Sequence, residues 1–391
     1  MERRVTESMT VVCLDDDKFI LKNVTKLCRS LRPDWNIKAY DDPKTWYKNW
    51  RVPPRAPIDI FICDLTLPSL RGDELLKGIV SACPNAIRVL LSEEIEESKA
   101  QTVYDYAHVV ISKPFAIEDF ENLFIHAERI HQLPFSHSCR EKLGRCTLLP
   151  VLPKYIVELQ SLLAQPNYET KQVVNVIGHE PALVAKLLQV ANSSLMGFRR
   201  TTDSLVEVVN RLGASLVEAI AVSMSVKVVG NKLTAAQHES IVEQSIRSGS
   251  IARHLAKTLG RSKVEEDKVF VASLLTSIGS IALLSQDVAL DQLDNSMHFQ
   301  EGFADTHIAA AYLLTVWGYE LEIGNMILNQ QNFRFSSIDD NEVLTSIVGI
   351  AGLLSKVKTK HDFHDVVSIV PEPVQFVLID QMQDMLGIDN E

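Results

Sequence analysis

Ile58-Asp-Ile-Phe-Ile-Cys-Asp-Leu-Thr-Leu-Pro68 is the stretch whose reading decides the fold. Ile58, Ile60, Phe61, Ile62 and Cys63 form a short, nearly continuous β-prone apolar run, the pattern of a parallel strand covered on both faces. Asp64 ends that run. In an open α/β sheet, ligands gather at the carboxyl ends of the strands, so a carboxylate there is a candidate site. Taken alone, Asp64 has a plainer explanation, because turns favour Asp. The neighbouring segments decide between the two.

Upstream, Thr10-Val-Val-Cys-Leu14 reads as a first strand running into Asp15, Asp16 and Asp17. Phe19 to Leu31 has helical spacing, Ile37 to Tyr40 is a second strand, Pro43 to Trp50 a short helix, and Pro53 to Pro57 a break. Downstream, Asp73 to Cys83 is a helix and Ile87 to Leu91 a strand ending at Ser92. Val109 to Ser112 is a strand ending at Lys113-Pro114, and Glu118 to His131 is a closing helix. Strands and helices alternating at this spacing predict a doubly wound parallel sheet. Its strand ends present carboxylates, a hydroxyl and an amine. Two carboxylates can hold Mg²⁺, a hard cation that prefers oxygen. Asp64 can then act as nucleophile toward a phosphoryl group, with the metal, Ser92 and Lys113 neutralising charge on its oxygens.

Val11 to Asp17, Asp64 with Pro68 and Gly72, Ser92, and Lys113-Pro114-Phe115 together resemble the receiver domain of two-component response regulators. The resemblance covers about 120 residues and implies a flavodoxin-like fold with a five-stranded parallel sheet. It also implies that Asp64 is phosphorylated by a sensor histidine kinase or phosphotransfer protein. Mg²⁺ would be bound by Asp16, Asp64 and the Thr66 carbonyl with help from Asp15, and Ser92 and Lys113 would sense the phosphate. One position departs from the family pattern. Val110 stands three residues before the lysine, where receivers usually carry Tyr or Phe. Tyr104, Tyr106 and His108 lie too early to fill that place.

From Leu149 onward helical periodicity replaces alternation. Pro153 to Leu163, the helix opened by Glu180-Pro181, and Ser204 to Leu212 are helices, the last ending at Gly213 as a left-handed residue. Ser215 to Val229, Glu239 to Leu259, Glu266 to Leu284, His307 to Val316 and Leu321 to Gln331 follow, then Val343 to Val357, with Val367 to Leu386 as one or two more. Short loops between them predict a compact bundle. Leu149-Pro-Val-Leu-Pro153, His179-Glu-Pro-Ala-Leu183, Leu187-Leu-Gln-Val-Ala-Asn-Ser193, Asn210-Arg-Leu-Gly213 and Trp317-Gly318 are similar, as a set, to the HDOD domain. That resemblance implies an all-α bundle related to the HD phosphohydrolases, in which His-Asp pairs bind divalent metals. Here Thr276 and Ser277 stand where the His-Asp pair is expected, and Gln330 and Gln331 where a His-His pair would follow. Neutral hydroxyls and amides are poor substitutes for imidazole and carboxylate at a hydrolytic metal. Thr276, Ser277, His307, Gln330 and Gln331 could still line a polar pocket, for a nucleotide or a partner group. A packed, hydrogen-bonded interior is the plainer reading.

The expected organisation is therefore a tail over 1–8, a receiver over 9–131, a linker over 132–148, an HDOD domain over 149–345, and helices over 346–391 packed on it. Gly349 and Gly352 permit close helix approach, which would also suit a homodimer seam. The formal net charge of −11 opposes broad binding to a phosphate backbone, so direct DNA binding is not expected. Six scattered cysteines without a secretory leader, and no apolar run long enough to span a bilayer, point to a cytoplasmic protein away from membranes. The function expected is a response regulator with a non-catalytic, protein-binding output. The alternative is a receiver-controlled cyclic-dinucleotide phosphodiesterase or nucleotide sensor.

Overall fold

The computed structural model describes residues 8–50, 57–68, 70–93, 106–145, 152–193, 196, 198, 200–226, 234–284, 299–332 and 340–382. The tail over 1–7, most of the Pro53 to Pro57 break, Tyr104, the Leu149 to Val151 half of the first HDOD-like fragment and the end of the last expected helix lie outside these residues. The chain divides into two units. The first holds residues 1–151 with 284–305 and 312–319; the second holds 152–283, 306–311 and 320–391.

In the first unit, β1 (Thr10–Leu14), β2 (Asn36–Tyr40), β3 (Ile60–Asp64), β4 (Ile87–Ser92) and β5 (Val109–Ser112) form one parallel sheet in the order β2-β1-β3-β4-β5. The flavodoxin-like prediction is met. All five residues of β1 and of β3 are buried, as their continuous apolar character demands. Helices α1 (Lys18–Leu31), α2 (Pro43–Trp50), α3 (Gly72–Ala82) and α4 (Ile117–Gln132) connect and cover the strands. Beside them, Val12, Leu14, Phe61, Cys63, Leu76, Ile79 and Leu90 make a core closed by Trp46, whose ring meets Phe61 edge-on at 5.0 Å. Val110 packs half-buried against this core, and so does Tyr106.

Two glycines mark close approaches. A Cβ on Gly72 would lie 2.1 Å from the carbonyl oxygen of Asp64, so only glycine lets α3 start directly against the end of β3. A Cβ on Gly144 would lie 1.6 Å from the Pro84 carbonyl oxygen. Gly144 belongs to α5 (His137–Arg145), a helix inside the segment expected to be an irregular connector. Arg88 of β4, only 1% exposed, reaches this helix: its Nη1 donates to the Gly144 carbonyl at 3.0 Å and its Nε to that of Tyr106 at 2.6 Å. Long-range contacts hold this helix where local periodicity is weak.

The second module is all helical: α6 (Lys154–Leu163), α7 (Thr170–Ile177), α8 (Pro181–Ala191), α9 (Leu205–Leu212), α10 (Ala214–Ser225), α11 (Ala235–Thr258), α12 (Lys263–Leu275), α13 (Ser277–Leu284), α14 (Asp305–Val316), α15 (Leu321–Asn329), α16 (Asp340–Leu354), α17 (Lys360–Ile369) and α18 (Glu372–Val377). In the second unit α11 and α12 pack along one another, and α16 lies against both. Ser204 caps α9 as predicted, its side chain accepting from the Glu207 N–H.

Several expectations need correction. Gly213 has φ 83° and ψ 161°, a positive φ but not the left-handed helical ψ, because it ends α9 and begins α10 at once. The helix expected over Glu266 to Leu284 breaks at Thr276 into α12 and α13. The boundary expected at 345 falls inside α16, and the helix expected from Val367 starts at Lys360 and stops before Pro371. The run Lys263–Leu284 is, by length and composition, long and apolar enough to cross a membrane, contrary to the sequence reading. Of its most apolar stretch 72% is buried inside the protein, the condition of a core element.

Candidate functional site

The site lies at the carboxyl edge of the sheet, and each side chain arrives there because a strand ends. After β1 the three aspartates separate in role. Asp17 caps α1, its Oδ1 accepting from the N–H groups of Phe19 at 2.8 Å and Ile20 at 3.2 Å. Asp15 is buried and accepts the Asp17 N–H at 2.9 Å, while Asp16 is exposed. Asp64, at the end of β3, is 7% exposed, and its Oδ2 accepts the Thr66 N–H at 2.9 Å. The carboxylates of Asp15, Asp16 and Asp64 bring oxygens within 4.8 Å of one another, the one such grouping of three acidic, histidine or cysteine side chains among the described residues. A cluster of hard oxygen donors left partly open suits Mg²⁺.

Lys113 follows β5 and places its ammonium between the two buried carboxylates, 2.9 Å from Asp15 Oδ2 and 2.6 Å from Asp64 Oδ1. Burial and the carboxylates act on it in opposite senses. Burial pulls the Lys113 ammonium down, but the hydrogen bonds and charges of Asp64 and Asp15 outweigh it and leave it above the usual lysine range. Burial holds the Asp15 carboxyl above the usual carboxylate range despite the lysine. Ser92, at the end of β4, is buried and spends its hydroxyl on the Glu93 carbonyl at 2.6 Å. The structure thus brings Asp15, Asp16, Asp64, Thr66, Ser92 and Lys113 to one sheet edge. The Lys113-Pro114 bond is cis.

Sequence reading missed Glu93, exposed and next to Ser92, and it missed the cleft beside the carboxylates. Ile20, Glu93, Lys113, Pro114 and Phe115 line that cleft, whose volume is about 510 Å³. Lys113 is common to the cleft and the carboxylate cluster.

The five polar residues singled out in the helical module do not converge in the same way. Thr276 Oγ1 donates to the Ala272 carbonyl at 2.9 Å and Ser277 Oγ to that of Leu274 at 2.9 Å, so both hydroxyls are turned back onto the last turn of α12. Gln330 Nε2 donates to the Ile327 carbonyl at 2.9 Å and reaches Thr276 Oγ1 at 3.4 Å; Gln331 is exposed. His307 keeps a buried Nδ1 without a hydrogen-bond partner. Burial, with the nearby Lys356 charge, pushes its pKa down to about 4 from 6.5.

That shift sets a pH dependence. The unfolded chain binds the His307 proton below about pH 6.5 and the folded state does not until about pH 4. This contribution to stability is full above 6.5 and is lost progressively as the pH falls toward 4, by at most about 3 kcal/mol. His307→Leu is expected to flatten the fall, as read from urea midpoints of the two proteins across that window.

The comparisons agree with this division. The response regulator receiver domain matches residues 11–124 and the HDOD domain residues 149–333. An uncharacterized protein of Treponema pallidum (strain Nichols) is 27% identical over 139 residues, 35% of this chain, and the chain spans only 26% of that relative's length. Among solved structures, a candidate phosphohydrolase from Shewanella amazonensis SB2B is 22% identical, with 65% of this chain and 89% of that one covered and a TM-score of 0.44. A signal receiver domain of an HD domain-containing protein from Pseudomonas fluorescens Pf-5 is 21% identical, covering 33% and 91%, at a TM-score of 0.29. With the parallel sheet, its acidic edge and the helical module that follows, this chain joins in one polypeptide a response regulator receiver domain over residues 11–124 and an HDOD domain over residues 149–333.

Proposed function

We propose that Asp64 is the phosphoryl acceptor of this regulator and that the helical module is a non-catalytic output acting by contact with another protein. The observation that carries the reading is the meeting of Asp64 with Asp15, Asp16 and Lys113 at the end of one sheet, within 4.8 Å for the carboxylates and 2.9 Å for the ammonium. In the transfer, an Asp64 carboxylate oxygen forms the bond to phosphorus as the donor's bond breaks, and the electron pair leaves with the donor. Asp15, Asp16, Asp64 and the Thr66 carbonyl would hold Mg²⁺, which would supply positive charge to offset that of the phosphoryl oxygens. Lys113 adds a second charge once it lets go of Asp15. The Ser92 hydroxyl, turned from the Glu93 carbonyl by rotation about χ1, donates to a phosphoryl oxygen.

The donor in this reading is a sensor histidine kinase or phosphotransfer protein, and the recipient of the output is a separate protein or a second copy of the chain. The position of Thr276 and Ser277 supports a non-catalytic module: neither side chain is imidazole or carboxylate, and both hydroxyls are tied to carbonyls of α12. Phosphorylation at Asp64 changes the charge and the hydrogen-bonding demand at the edge of β3, β4 and β5, which is the change a contact output would read.

Beryllofluoride with Mg²⁺, a phosphoryl mimic, tests the whole reading. It is expected to change hydrogen exchange in residues 149–391, or the oligomeric state, as well as exchange around Asp64. Identical exchange and scattering with and without the mimic would contradict an output driven by Asp64.

A further inference from the structure

Helix α14 ends at Val316 on a left-handed glycine. Gly318 has φ 95°, its N–H donates to the Thr315 carbonyl at 3.2 Å, and the Tyr319 N–H returns to the Leu314 carbonyl at 3.0 Å. The carbonyls beyond that turn are met by helix α4. The His126 ring hydrogen-bonds the Val316 carbonyl, and Arg129 Nη1 donates to the Gly318 carbonyl at 3.0 Å and to the Tyr319 carbonyl at 3.3 Å. A guanidinium set against the negative end of a helix is favourable. A Cβ on Gly318 would lie 2.6 Å from His126 Nε2, so the position needs glycine for this approach as well as for its φ. Upstream on the chain, Tyr312 meets the His108 ring edge-on at 5.9 Å. The Gln300 amide accepts the Ser136 N–H at 2.8 Å and donates to the Pro134 carbonyl at 2.9 Å. All of these residues belong to the first unit.

Residues 306–311 of α14 belong to the second unit, where a Cβ on Gly279 of α13 would lie 1.8 Å from the Thr306 carbonyl oxygen, so only glycine permits that packing. One helix of 12 residues is thus fixed in both units. We propose that the end of α14 is a tethered ligand of α4, docked while Lys113 pairs with Asp15 and Asp64 and released when Asp64 is phosphorylated. The route is β5, which is 4 residues long: Lys113 directly follows it, and His108, against Tyr312, directly precedes it. A phosphoryl group that draws Lys113 from Asp15 shifts one end of that strand, and the ring pair with Tyr312 lies at the other. Release reaches the helical module through a helix that both units already share. This inference rests on Asp64 as acceptor and names the element that the output uses.

The test measures beryllofluoride affinity in Mg²⁺, and hydrogen exchange over residues 312–319, in the full-length wild type, Arg129→Ala and Gly318→Ala. Arg129→Ala leaves untouched the buried face of α4, which is Phe120, Leu123, Phe124, Ala127 and Ile130. In wild type the mimic is expected to speed exchange over 312–319. In Arg129→Ala that exchange is already fast without the mimic, and because coupling is reciprocal the variant binds the mimic about tenfold more tightly. Gly318→Ala, strained in φ and against His126, should move both readouts the same way. Wild-type exchange over 312–319 that the mimic leaves unchanged or slows would overturn the coupling and leave Asp64 as acceptor. An Arg129→Ala protein that matches wild type in exchange there or in affinity for the mimic would do the same. No binding of the mimic by wild type would overturn the acceptor itself, and this inference with it.

Discussion

Asp64→Asn is expected to remove labelling by acetyl phosphate completely while leaving the fold intact. The two side chains have the same shape, and asparagine keeps an oxygen to accept the Thr66 N–H now bonded at 2.9 Å. What it lacks is the anionic oxygen that attacks phosphorus. Lys113, 2.6 Å from Asp64 Oδ1 and 2.9 Å from Asp15 Oδ2, loses one of two charged partners and retains the other. The stability loss is therefore modest, about 1 kcal/mol, while the chemical loss is total. Phosphate-affinity electrophoresis of both proteins after the same exposure to donor and Mg²⁺ reads the difference. Undiminished labelling of the variant would move the acceptor elsewhere.

Lys113→Ala is expected to give the second-largest effect, on stability and on metal dependence together. The lysine side chain is 12% exposed, that of Asp15 3% and that of Asp64 10%, so its removal leaves two buried carboxylates facing each other and Asp16. Breaking such a buried pair costs about 3 kcal/mol. Mg²⁺ would draw on the same two carboxylates that Lys113 now pairs, so Mg²⁺ should stabilise the variant more than the wild type, because no ammonium has to be displaced from Asp15. Thermal melts of the two proteins with and without Mg²⁺ check this. A Mg²⁺ shift no larger in the variant would mean that lysine and metal do not share a site.

The contrast between what could and could not be read from the chain follows the range of the interactions. β1 and β3 are apolar throughout and end on carboxylates, so a strand, its burial and its chemical end are local facts. The same holds for Asp64, Ser92 and Lys113, each one step past or at the last residue of a strand. Helix α5 was not legible, because what holds it is a guanidinium from β4, 56 residues earlier in the chain, and a glycine pressed on a distant carbonyl. Helix α7 carries a local signal at its start, where the Gln172 side chain reaches back to accept the Glu169 N–H at 2.7 Å, one half of a capping box.

The helical module shows the reverse failure, a pattern read as too continuous. Nothing in Ala272-Ser-Leu-Leu-Thr-Ser-Ile-Gly279 demands a break, since it holds no proline and no charge, yet α12 stops at Leu275. Thr276 turns its hydroxyl back on the Ala272 carbonyl and Ser277 does so on Leu274, competing with the helix ladder at that point. The use to which the Thr276 and Ser277 hydroxyls are put is visible only in the fold.

The central claim, that Asp64 carries the phosphoryl group with metal assistance, is met most directly by mapping the modification. The intact protein is incubated with acetyl phosphate in Mg²⁺ or in chelator, then treated with borohydride, which reduces an acyl phosphate to an alcohol, and its peptides are weighed. The account predicts a reduced residue at Asp64 alone, present with Mg²⁺ and lost with chelator. Reduction at Asp15 or Asp16, or labelling of Asp64 that ignores the metal, would contradict it.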